Sequence, residues 1–272
     1  TVLEIQNTTI DFWWPTRVLA SGSSLLKLTD VTLGKNVTLE ALESGRLETY
    51  YHLDVTVNKS GSPATGASIE ARYRSINTLA GNAVAGPGGS ASFLLRERAL
   101  SPGVTTFTNN YTISAFRNSS LASKDHTLKA RETLTLELLD FVSGTSPADG
   151  EKNVSLSSHI TINFSYAMEP LSSPDYIAIL PNISVAWSWD TTTSLGIVPS
   201  VNLAPVSNYT LTVSTEAKTL GGLQLPEPFS FTFTTGAQMP DAPSNLVAEA
   251  GNRSVRLRWN APVHDGGAPV EG

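Results

Sequence analysis

Ten of the sixteen asparagines stand two positions before a serine or threonine: Asn7, Asn36, Asn58, Asn110, Asn118, Asn153, Asn163, Asn182, Asn208 and Asn252. The chemistry this spacing offers is attachment of a sugar to the carboxamide nitrogen, which adds bulk and solubility and shields exposed loops of a secreted or surface chain. Serine and threonine supply 62 of the 272 residues, so chance would place a hydroxyl there for only about four of the sixteen. Two readings of the excess stand, and the first is favoured. Most of the ten are true acceptors, or a hydroxyl-rich β protein picks up the pattern incidentally, as Asn208-Tyr209-Thr210 would.

Four tryptophans form the candidate ligand surface. Trp187-Ser188-Trp189 puts two rings on one side of a strand, an aromatic platform if that side is exposed and core filling if it is not; Asp175 or Asp190 nearby would complete a sugar subsite. Packing is the leading use of this pair. In Trp13-Trp14-Pro15 adjacent residues should point to opposite faces, so one ring must meet a neighbouring element or solvent, and a domain interface is the leading use. Asp140, Asp149 and Glu151 flank a linker where calcium would find oxygen ligands, although carboxylates beside a loop more commonly solubilise it; no metal site is expected.

Catalytic chemistry is poorly supplied. The chain has no cysteine, which removes disulfides, thiol nucleophiles and thiolate metal sites. His52, His126, His159 and His264 lie too far apart for a local metal motif. G-x-S-x-G, H-E-x-x-H, EF-hand and Walker patterns are absent, and the glycines of Gly86-Pro87-Gly88-Gly89 lack phosphate-loop spacing. No catalytic residue and no cofactor is expected.

Eighteen basic against 24 acidic residues give a net charge of -6 without any Lys/Arg cluster, which excludes a nucleic-acid or anionic-membrane surface. No run approaches about 18 apolar residues, so no membrane insertion is expected within these residues. Many acceptor asparagines without cysteine fit an extracellular or envelope protein of a prokaryote, archaea included, better than a eukaryotic secreted one.

The elements that must position these side chains are strands. Period-two alternation recurs at residues 53–57, 90–94, 111–116, 134–138, 160–164, 209–213, 229–233 and 255–259, and helical period is nearly absent, so the fold class expected is all-β. In residues 1–48, Ser21-Gly22-Ser23-Ser24-Leu25-Leu26 is echoed by Glu43-Ser44-Gly45-Arg46-Leu47-Glu48 at a spacing of about 23. This region is either the end of a β-solenoid or a β extension packed on the next domain. Residues 49–140 should form a small antiparallel sandwich, with the glycine cluster as a hairpin into the strand at 90–95.

That second region resembles the transthyretin-like, carboxypeptidase regulatory-like sandwiches, on Leu53-Asp54-Val55-Thr56-Val57 followed by Gly66-Ala67-Ser68-Ile69. The resemblance implies an accessory structural module. Residues 141–237 resemble the bacterial Ig-like domains of surface-layer and adhesin proteins, opening on Ser146-Pro147-Ala148-Asp149-Gly150 and closing on Phe229-Ser230-Phe231-Thr232-Phe233-Thr234-Thr235-Gly236. This resemblance implies a rigid spacer or lattice domain. Residues 238–272 resemble the start of a fibronectin type III domain, with Pro243-Ser244-Asn245-Leu246-Val247-Ala248, then Val255-Arg256-Leu257-Arg258-Trp259, then a loop at Asp265-Gly266-Gly267-Ala268-Pro269-Val270.

Together these readings lead to one expectation: tandem Ig-like and transthyretin-like sandwiches forming a non-enzymatic structural segment of a glycosylated, multidomain cell-envelope protein, as spacer, surface-layer or stalk. Its partners would be other envelope copies, neighbouring domains or glycans. The alternatives are an adhesin or carbohydrate-binding module, which needs exposed tryptophans, and an accessory region of a large secreted hydrolase.

Overall fold

The computed structural model describes residues 1–170, 175–264 and 266. The chain divides into two compact units, Thr1–Asp140 and Phe141–Gly272, and the regular elements of the described residues are all strands.

The first unit opens with β1 (Val2–Gln6), β2 (Thr9–Ile10), β3 (Thr16–Ala20), β4 (Leu25–Thr29), β5 (Thr32–Leu33) and β6 (Val37–Ala41). These pair in parallel, β1 with β4, β2 with β5 and β3 with β6, so the chain winds back onto its own three ladders. Val2 lies opposite Leu25, an offset of 23 residues, and Thr16 opposite Val37, an offset of 21. Each turn sends its apolar residues inward to a shared cluster of Ala20, Leu26, Leu28, Val31, Ala41 and Leu47. One turn alone cannot bury that side; stacking the next one on it does. Gly45 is required by this stacking, because a Cβ there would collide with the backbone carbonyl of Ala20 in the preceding turn.

The third turn begins β7 (Arg46–Lys59). The first part of β7 continues the parallel ladder with β4. The remaining strands of the unit are β8 (Ser62–Pro63), β9 (Ser68–Tyr73), β10 (Leu79–Val84), β11 (Ser90–Ser101), β12 (Val104–Phe107), β13 (Asn110–Arg117), β14 (Ser120–Thr127), β15 (Glu132–Glu137) and β16 (Leu139–Asp140). From Leu53 onward β15 replaces β4 as the parallel neighbour of β7, while β11 runs antiparallel along the opposite edge, from Ser90 opposite Thr56 to Leu100 opposite Leu47. A second sheet, in the order β10-β9-β13-β14-β16, faces this one. Leu53, Val55 and Val57 of β7, Phe93 and Leu95 of β11, Ile69 of β9 and Tyr111 and Ile113 of β13 fill the space between. Their alternation with polar neighbours explains the strand pattern: burying each large aliphatic or aromatic side chain contributes about 1.5–3 kcal/mol.

Two details differ from the sequence reading. The boundary expected at residues 48/49 falls inside β7, which passes without a break from the wound region into the sandwich. The turn at Gly86–Gly89 is not a hairpin, because β10 pairs with β9 in one sheet and β11 with β7 in the other. It is an arch between layers, and it needs Gly89, whose φ is +70° and whose Cβ would stand 2.6 Å from the Val57 carbonyl oxygen.

The second unit contains β17 (Val142–Ser146), β18 (Glu151–Val154), β19 (Ile160–Phe164), β20 (Ile177–Leu180), β21 (Val185–Thr191), β22 (Ser194–Pro199), β23 (Asn208–Val213), β24 (Phe229–Thr235), β25 (Ser244–Gly251) and β26 (Ser254–Asn260). Two four-stranded sheets, β17-β19-β22-β21 and β18-β24-β23-β20, make a sandwich. Phe141, Ile160, Ile162, Leu195, Tyr209, Leu211, Phe231 and Phe233 are buried in it. The Phe141 and Phe164 rings meet edge to face at 5.8 Å. β25 and β26 form an antiparallel hairpin whose residues are exposed on both faces, Trp259 among them. Apart from Gly266, the loop expected at Asp265-Gly266-Gly267-Ala268-Pro269-Val270 lies outside the described residues.

Candidate functional site

The acceptor-pattern asparagines occupy turns and the wet faces of strands. Asn7, Asn110, Asn118, Asn153, Asn163, Asn182, Asn208 and Asn252 are exposed, Asn36 and Asn58 are half-buried, and none is buried. The alternation of β13, β19 and β23 explains three of them, since Asn110, Asn163 and Asn208 sit out of phase with the inward Tyr111, Ile162 and Tyr209. Asn7, Asn118 and Asn153 have φ of 49°, 51° and 58°, a left-handed conformation that asparagine tolerates better than most residues. Asn36 is different in kind: its Nδ2 donates to the carbonyl oxygen of Phe12 at 2.8 Å and ties the loop after β2 to the next turn.

That loop carries Trp13 and Trp14, which are 93% and 77% exposed. The expectation of opposite faces fails because the two residues lie in a bend rather than a strand, and the unit itself covers neither ring. Asp11, Lys35 and Asn36 line a cavity of about 270 Å³ beside Phe12 and Trp13. Trp187 and Trp189 are on one side of β21 and half-buried, between exposed neighbours. Trp189 stacks on Phe164 at 6.1 Å, so this ring takes part in packing within the second unit. Asp190 is exposed beyond them on the same strand, and Asp175 lines a separate cavity with Glu169, Tyr176 and Lys218.

The linker carboxylates are each engaged locally. Asp140 accepts from Lys59 Nζ at 2.6 Å and from Ser120 Oγ at 2.5 Å. Asp149 accepts from the Thr232 amide at 2.8 Å, and Glu151 from the Ala148 amide at 2.7 Å. Among the described residues no three histidine or acidic side chains gather in a way that would hold a metal ion, and no helix is long and apolar enough to cross a membrane.

A polar cluster lies where the wound region passes into the sandwich of the first unit. Asp30 has φ of 50°; its Oδ1 accepts from the His52 amide at 2.7 Å, and its Oδ2 stands 2.5 Å from His52 Nδ1. Glu48 accepts from the Tyr50 hydroxyl at 2.7 Å and pairs with Arg46 and Arg96. Burial pushes the Glu48 carboxyl up, but the Tyr50 hydroxyl and the two guanidinium groups together hold it below the usual carboxylate range. Glu97, at the register shift of β11, accepts from Thr49 Oγ1 at 2.6 Å. These contacts give the joint a fixed register.

One surface was missed from sequence. Tyr73, Ile76 and Phe107 surround a cavity of about 210 Å³ with Asn110 at its rim. Its only signal in the sequence was an aromatic residue three positions before an acceptor asparagine.

Residues 140–235 match the family described as bacterial Ig-like domain, over the stretch where the Ser146-Pro147 opening and the Phe229–Gly236 close were read. No curated protein matches the chain. Among solved structures, an L,D-transpeptidase from Mycobacterium smegmatis is 22% identical, with 35% of this chain covered, 39% of that chain covered and a TM-score of 0.26. CopC from Methylosinus trichosporium OB3b is 19% identical over 35% of this chain and 92% of its own, with a TM-score of 0.27. A mutant of the shaft pilin SpaA from Lactobacillus rhamnosus GG is 9% identical over 69% of this chain and 98% of its own, with a TM-score of 0.29. The chain spans about two-fifths of the transpeptidase's length, 39%, and likenesses this loose carry no activity across. The Ig-like match and the two four-stranded sheets of the second unit agree on a β-sandwich over residues 140–235.

Proposed function

We propose that this chain is a glycosylated structural segment of a long, multidomain, extracellular envelope protein, serving as a spacer or stalk or as part of a surface layer. The observation that carries the reading is the placement of the ten acceptor-pattern asparagines: all lie at the surface or half-buried, in both units and on the terminal hairpin. Glycans there would cover loops and sheet faces and blunt edge-to-edge association between strands. In this reading the parallel turns before β7 are rungs of a β-solenoid, residues 49–140 a transthyretin-like sandwich, and the exposed β25–β26 hairpin the first two strands of a fibronectin type III domain. The partners are neighbouring domains and further copies of envelope protein. Prokaryotes, archaea included, are the source that cysteine-free, acceptor-rich sequence favours. Peptide mass spectrometry of natively produced protein tests it, with glycan expected at most of the eight exposed sites. Bare asparagines throughout would reduce the excess to strand composition and remove the reading's main support.

A second reading, a carbohydrate-binding surface, is favoured by Trp13 and Trp14. Two exposed rings beside Asp11, Lys35 and Asn36 offer apolar faces for a sugar's C–H groups and polar groups for its hydroxyls. Oligosaccharide should quench tryptophan fluorescence in the parent and not in the Trp13→Ala, Trp14→Ala double variant. Equal quenching in both proteins, or none in either, would remove this reading.

A further inference from the structure

Phe107 is 58% exposed and Ile76 66% exposed. With Tyr73 they wall the cavity of about 210 Å³ on the first unit, and Arg96 lies at its edge. The Phe107 ring is not loose: the Arg98 guanidinium carbon stands 5.7 Å from its centre, and Phe107 pairs with Arg98 across the β11–β12 ladder. Ser75, Thr108 and Asn110 complete the lining, so the cavity offers apolar walls and polar groups together.

Asn110 supplies the means of covering it. The residue is exposed, lines the same cavity and begins an acceptor pattern completed by Thr112. Its carboxamide is oriented, because Oδ1 accepts from the Thr127 hydroxyl at 2.7 Å across the β13–β14 ladder. Among the described residues Nδ2 makes no hydrogen bond, so the nitrogen that would carry a sugar is the uncommitted end of the group.

We infer that the first sugars of an N-linked glycan at Asn110 lie in this cavity, with the C–H face of a pyranose against Phe107 and Ile76. This rests on the glycosylated reading proposed above. Attachment joins Nδ2 to the anomeric carbon of a glycosyl phosphate donor; the anomeric C–O bond breaks, the phosphate leaves with its electron pair, and one Nδ2 proton is released. The slightly positive C–H groups of a sugar ring suit the negative face of an aromatic ring, and the contact removes apolar surface from water. The glycan at this site is therefore part of the fold's surface packing, whereas glycans on the turns at Asn118 or Asn252 project from it.

The test uses the full chain from its native host. Glycopeptide mass spectrometry reads occupancy at Asn110. Nuclear Overhauser contacts then report whether protons of the first sugar lie on the Phe107 ring, in protein with no substitution. A double-mutant cycle adds the energetic side. The fall in melting temperature on Asn110→Gln should be about 2–4 °C larger in the parent than in a Phe107→Ala background, because loss of the Thr127 hydrogen bond is common to both. Asn110 occupied, with no contacts to the ring and additive substitutions, would overturn the inference and leave the glycosylated reading intact. A bare Asn110 beside occupied sites elsewhere would also overturn it, while bare asparagines at all ten sites would take the parent reading down with it.

Discussion

Glu48 concentrates the electrostatic logic of the first unit. A carboxylate buried at a joint is tolerated only when donors satisfy it, and here one hydroxyl and two guanidinium groups do so. Tyr50, the hydroxyl donor, is pushed up to about 12 by burial and by the carboxylate beside it, and so remains a neutral donor. The Ser92 hydroxyl, with Arg131, holds Asp54 below the usual carboxylate range, and the Lys59 ammonium and Ser120 hydroxyl do the same for Asp140. A carboxyl whose folded pKa is depressed adds stability that is fully present above its unfolded value, about 3.9 for Asp and 4.3 for Glu, and is lost as pH falls through the folded value. The first unit should therefore keep its melting temperature from neutrality to about pH 5 and lose it progressively below about pH 4. Asp140 is half-exposed, so Asp140→Asn should weaken that acid slope only slightly. A melting temperature flat down to about pH 2 would contradict this account. Nothing in the sequence marks the pairing of Glu48 with Arg96, since the two are brought together only by the β7–β11 register.

At the scale of elements, β7 organises the first unit. It belongs to the parallel ladder through Arg46–Tyr50 and to the sandwich through Leu53–Asn58, with β11 along both stretches. Leu47→Ala should cost about 2–5 kcal/mol, because Leu47 is fully buried in the cluster of the wound region. Gly45→Ala should be comparably damaging for a steric reason, the clash with the Ala20 carbonyl. Urea denaturation followed in both variants checks this, and unchanged midpoints would mean that the turns before β7 contribute nothing to the unit. Much at this scale was legible. The alternating runs at 53–57, 111–116, 160–164, 209–213 and 229–233 lie within β7, β13, β19, β23 and β24. What alternation cannot carry is partner choice, and the arch at Gly86–Gly89 shows why: the same glycine signal serves a hairpin or a crossing between sheets. The echoed segments at residues 21–26 and 43–48 lead into β4 and β7, which pair in parallel, but the offset varies from 23 to 21 between ladders, which blurs it in sequence. Trp13 and Trp14 lie in a bend, where the alternation of a strand does not set which way neighbouring side chains face.

For the whole molecule, two cysteine-free units are held by apolar cores, while the asparagines of the N-x-S/T pattern are exposed or half-buried outside those cores. Residues 140–235 of the second unit match the bacterial Ig-like domain family. The central claim, a structural segment standing outside the cell, is tested most directly by protease shaving of intact native cells, with the released peptides identified by mass spectrometry. Peptides from both units released without lysis are the predicted result. Peptides that appear only after the cells are broken would contradict it.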